Sequence, residues 1–209
     1  MVQTAAARLA VPAIIAAFAS GCVSFSMFQG PETLDHGQVV GGVGAAIFSV
    51  PGDTADDSSL GLWPEAGVRV GLGHRFDLGA RFAGVPPFGT FYGDIRYQLV
   101  PGPVAVTAGL GGSFVDATFN DDDVSFSAVY PSLAVGSDRL WVAGRGLIVS
   151  TGSADQVFVS ESIWGLVVGS SIGGDVRLLP EVEVYFGTDA TETIVGLGLG
   201  VQVDLRDGG

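Results

Sequence analysis

Glu181 and Glu183 stand two residues apart, the spacing that brings two carboxylates to one face of an extended chain. Such a pair can divide general-acid and general-base work when no other group holds the charges. Here arginines are at hand: Arg69, Arg81, Arg96, Arg145 and Arg177 face Glu65, Asp77, Asp94, Glu181 and Glu183 as five cations against five anions. Charges matched in this way favour a structural ion-pair network over catalysis. The histidines do not change this, because His36 precedes the first extended segment and His74 falls in a turn, where neither can orient a serine nucleophile beside the longer connections. The chain is expected not to be an enzyme. Asp53, Asp56 and Asp57, and the run Asn120-Asp121-Asp122-Asp123, could attract divalent cations, but they lack calcium-loop spacing with a terminal glutamate. No metal site and no cofactor are expected.

The elements that position these charges have a period of two. Phe91, Ile95, Tyr97 and Leu99 share one face with Gly93, and Tyr92, Asp94, Arg96 and Gln98 share the other. The same alternation opposes Ala66, Val68, Val70 and Leu72 to Glu65, Gly67, Arg69 and Gly71. In the last segment Val195, Leu197, Leu199, Val201 and Val203 oppose Gly196, Gly198, Gly200, Gln202 and Asp204. Ten segments follow this scheme, at 37–50, 65–73, 76–83, 89–100, 103–117, 124–136, 139–150, 162–173, 176–187 and 192–205. Tight turns at 73–75, 101–103, 136–138 and 173–175 alternate with longer connections at 51–64, 84–88, 118–123, 151–161 and 188–191. That order places both termini on the tight-turn side of an up-and-down barrel.

Composition narrows the setting. The chain is 47% apolar and 15% charged, yet beyond residue 21 it has no apolar run long enough for a membrane-spanning helix. Its nine basic residues are all arginine and its net charge is −13, which excludes nucleic acid as a partner, since phosphate binding needs clustered positive charge. With 33 glycines and no lysine, the polar face lacks the charged density of a water-facing surface. It is expected to line a lumen, with the apolar face toward lipid. Trp63, Tyr92, Trp164 and Tyr185, with Trp141 at the other end, read either as interfacial girdles or as core aromatics of the β-domain.

The first residues read as an address. Arg8 and the apolar run Leu9 to Phe18 have the make-up of a signal peptide. Ala19-Ser20-Gly21-Cys22 resembles a lipoprotein signal, departing from it where leucine is usual at Ala19, and implies lipidation at Cys22. From 37 to 209 the chain resembles a small bacterial outer-membrane β-barrel protein. That resemblance implies an all-β, antiparallel, up-and-down transmembrane barrel of about ten strands, with eight to twelve allowed. It also implies a signal peptide over 1–21, a periplasmic lead over 22–36, and both termini in the periplasm, with outer-membrane lipid as partner. A structural, interaction or narrow-pore role follows. The alternatives are a lipid-anchored soluble β-barrel holding a small ligand and, less favoured, an outer-membrane hydrolase. One departure is the end of the chain, Leu205-Arg206-Asp207-Gly208-Gly209, where such proteins commonly close on an aromatic residue.

Overall fold

The computed structural model describes residues 28–51, 58–85, 88–119, 122–153, 156–187 and 193–206. Cys22, Asp53, Asp56, Asp57, Asn120 and Asp121 lie outside these residues. The strands are β1 (Val39–Pro51), β2 (Ser58–Gly73), β3 (Phe76–Val85), β4 (Phe88–Val100), β5 (Ala105–Phe119), β6 (Asp122–Gly136), β7 (Leu140–Ser153), β8 (Gln156–Ser170), the two-residue β9 (Ile172–Gly173), β10 (Val176–Phe186) and β11 (Thr193–Arg206). Each long strand pairs antiparallel with the next, and β11 pairs with β1 from Val39↔Arg206 to Ser49↔Val195. That last ladder closes ten strands into an all-β barrel, so no long edge is left along the wall.

The expected segments all correspond to strands, but the hairpins on the long-connection side are taller than read. β2 starts at Ser58 rather than 65, and β7 and β8 run through Ser153 and from Gln156. Asp122 and Asp123, expected in a connection, pair with Phe119 and Thr118 in the β5–β6 ladder. Pro64 lies inside β2, where it pairs toward β1 with Ala45, while the β2–β3 ladder begins only at Glu65. A proline lacks one ladder donor, so it fits where one neighbour is missing. Pro180 acts likewise, since the β8–β10 ladder stops at Glu181↔Gly169 and resumes between β9 and β10 at Leu178↔Ile172.

Strand parity sorts the side chains. Leu78, Ile95, Leu133, Leu166, Val182 and Leu197 are exposed outward, and Asp77, Arg96, Ala134, Val167, Glu183 and Gly198 are buried inward. At the tight-turn end, β2 passes into β3 with His74 at φ 53° and Arg75 at φ 68°. Two successive positive φ values are the mark of the hairpin turn whose twist suits paired strands.

Candidate functional site: the barrel lumen

Three layers fill the lumen. Toward the long-connection end, Ala46, Phe48, Trp63, Leu147, Ile163 and Ile194 pack as an apolar cluster, with the Phe48 and Trp63 rings 5.9 Å apart and nearly perpendicular. This layer was not expected from the sequence, where the inward face reads as glycine, serine and charge. Four of the five candidate girdle aromatics belong inside as well. Trp63, Tyr92, Trp141 and Tyr185 are all buried, and only Trp164, 54% exposed, faces outward. The physical reason is volume: glycines at 61, 165 and 169 leave slots against which Trp63, Tyr185 and Trp141 lie. The outward aromatics are instead cross-strand partners, Phe76 with Tyr97 at 4.5 Å and Phe82 with Phe91 at 5.0 Å.

The middle layer holds the expected charges. Asp77, fully buried, accepts hydrogen bonds from Arg69 and from Arg96, whose Nε and Nη2 reach its carboxylate at 3.0 and 2.6 Å. Arg69 also donates to Asp94, so two arginines and two aspartates from β2, β3 and β4 form one cluster. Alternation alone brings them together, because Asp77 lies opposite Arg96, and Gly79 lies between Arg69 and Asp94. Arg81 approaches Glu65 at 3.6 Å. Arg145 sits 5.0 Å over the Tyr130 ring, whose hydroxyl is 2.9 Å from Ser113 Oγ. Glu181 and Glu183 are buried in the same lumen on β10. Arg177 stands apart at the tight-turn rim, half-buried and 3.6 Å from Asp204. Asp204 was missed as a charged partner although its parity in β11 pointed inward. Among the described residues, no three of His, Cys, Asp and Glu converge on a metal position.

The third layer is the amino-terminal segment. Residues 28–38 lie across the tight-turn mouth, before a turn in which Gln38 N donates to Asp35 O at 3.0 Å and Gly37 takes φ 77°. Pro31 is fully buried, and its carbonyl accepts from Thr107 Oγ1. Arg96 Nη1 and Nη2 donate to the carbonyls of Gly30 and Glu32 at 2.8 and 3.1 Å. Thr33 Oγ1 donates to Gln98 at 3.0 Å, and Leu34 N to Asp77 at 3.3 Å. At the rim, partial burial and the nearby Asp138 hold the Glu32 carboxyl above its ordinary range, against the opposing pull of Arg177. His36 Nδ1 is 3.1 Å from Leu72 O at the same end, remote from the tall hairpins. Beside the segment remain cavities of about 40 and 30 Å³, each with room for a few waters. The second is lined by Arg69, Arg81, Tyr92, Asp94 and Arg145 among others.

No protein-family model matches the chain, and no curated protein does. Among solved structures it is similar to Neisserial surface protein A, with 12% identity, 80% of this chain and 97% of that chain covered, and a TM-score of 0.38. It is similar to Ail, the attachment invasion locus protein of Yersinia pestis, with 12% identity, 81% and 99% covered, and a TM-score of 0.37. It is similar also to an outer membrane channel from Pseudomonas putida F1, with 9% identity, 84% and 98% covered, and a TM-score of 0.44.

Proposed function

We propose that the chain is an integral barrel of a bacterial outer membrane with a structural or interaction role, its lumen sealed rather than open to solutes. The outward surface carries this reading. Among the described side chains, outward strand positions are uncharged until Arg206, which pairs with Val39 at the tight-turn end of β11, whereas buried inward neighbours include Asp77, Arg145 and Glu183. From Val195 to Leu205 on β11, ten steps of about 3.4 Å tilted by about 40° rise roughly 25 Å, the height of the apolar band on such barrels. A water-soluble monomer does not carry an apolar surface that encircles it. Sealing is supported from both ends, by the apolar cluster around Phe48 and Trp63 and by residues 28–38 across the other mouth. The Arg69–Asp77–Arg96–Asp94 cluster then serves to fix neighbouring strands from within. In this reading both termini lie in the periplasm, and acylation of Cys22 adds an anchor on that side.

Reconstitution tests it. In lipid vesicles the mature chain should resist extraction at alkaline pH and change its gel mobility on heating, and in planar bilayers it should give no steady conductance. Release into the aqueous phase would overturn the membrane reading, and a stable single-channel current would overturn the sealed lumen.

A further inference from the structure

The contacts of residues 28–36 have the form of a receptor holding a peptide. Main-chain carbonyls of three consecutive residues are read: those of Gly30 and Glu32 by the two terminal nitrogens of Arg96, and that of Pro31 by Thr107. Arg96 is fixed for this by Asp77, which also accepts the amide of Leu34. Two apolar side chains are held by shape, beside the Thr33 hydroxyl that donates to Gln98. Pro31 is wholly buried, and it brings no amide hydrogen for the mouth to satisfy. Phe28 lies on bare backbone at the seam where the first and last strands meet. A side-chain carbon added at Gly44, Gly198 or Gly200 would approach its ring to between 2.5 and 3.0 Å. Gly44 and Gly200 are directly paired across that seam, so the cradle is built from both ends of the barrel wall. A site formed by a clamped arginine, a threonine and a glycine cradle reads a run of main-chain carbonyls and two apolar side chains, whichever molecule supplies them.

We propose that the tight-turn mouth is a peptide-binding site for a Phe-x-x-Pro segment, occupied in cis by residues 28–36 and able to take the same sequence in trans. The cis segment is tethered through Gly37, two residues before β1, so it competes at an effective concentration on the order of millimolar. An external peptide therefore binds well only when the cis segment is weakened. This holds for the folded barrel in detergent or lipid, and so stands apart from the membrane reading.

The test uses the full chain in nanodiscs and the fluorescein-labelled peptide Phe-Gln-Gly-Pro-Glu-Thr-Leu-Asp, followed by anisotropy. Phe28→Ala in the chain should tighten apparent peptide binding by about tenfold or more over the native chain, by release of the competing segment. Exchanging the phenylalanine or the proline of the peptide should abolish that gain, and so should Arg96→Gln or Thr107→Val added to the Phe28→Ala chain. Equal binding to both chains, or indifference to the peptide's Phe and Pro, would refute the site. The heat-dependent mobility shift reports whether each variant remains a closed barrel. Should Phe28→Ala fail to fold, Pro31→Gly takes its place; if both lose the barrel, the segment is an inseparable part of the fold and the proposal is wrong.

Discussion

Replacing Asp77 by alanine lowers the unfolding free energy by about 3–5 kcal/mol, because the change strands buried guanidinium charge instead of removing a whole ion pair. Asp77 is fully buried and is the carboxylate shared by Arg69 and Arg96. Without it Arg69 keeps Asp94, but among the described residues Arg96 keeps the carbonyls of Gly30 and Glu32 alone. The loss should therefore concentrate on Arg96. Adding Arg96→Met to Asp77→Ala should recover a large part of the deficit, since the second change removes the uncompensated charge. Urea titration of vesicle-embedded protein, read by the heat-dependent mobility shift, measures both. A double variant less stable than the single one would show that Arg96 acts chiefly through the amino-terminal segment.

Leu197→Arg has the second large effect, and its size depends on what surrounds the barrel. Leu197 is 62% exposed at the middle of β11, between Ile47 on β1 and Val182 on β10. In a bilayer an outward arginine at this depth costs about 2–4 kcal/mol. In water the same exposed substitution falls within about 0.5 kcal/mol of neutral. The same urea titration in vesicles should show the large loss. A neutral result would place this face in water.

Much of this architecture follows from period alone. In Phe91 to Leu99 the alternation assigns Phe91, Ile95 and Leu99 outward and Asp94 and Arg96 inward, as the barrel has them. The same alternation held information against the girdles. Tyr92 shares its parity with Asp94, Trp141 with Arg145, and Tyr185 with Glu183, so an inward aromatic was legible wherever an inward charge was. Interfacial preference of aromatics is a weaker constraint than parity, and parity prevailed. Arg177 and Asp204 show the limit of reading strands singly, since they come together at the rim only once β10 and β11 are docked. Residues 28–38 were illegible for a different reason. Phe28 to Leu34 has neither strand nor helix period, and its place is set by groups far away in sequence, at Asp77, Arg96 and Thr107. One clue was present: inward glycines at 44, 198 and 200 leave a void that close-packed interiors do not tolerate, and the Phe28 ring fills it.

The arrangement of outward apolar and inward polar side chains is tested most directly by the native tryptophans. Trp164 faces outward and is 54% exposed, whereas Trp141 is 1% exposed inside the lumen. Two chains are needed, one retaining only Trp164 and one retaining only Trp141, with phenylalanine at the other tryptophan positions. In vesicles whose acyl chains carry bromine, the fluorescence of Trp164 should be strongly quenched and that of Trp141 nearly unchanged. Unquenched Trp164 fluorescence, or equal quenching of both, would contradict a barrel that turns its apolar face to lipid.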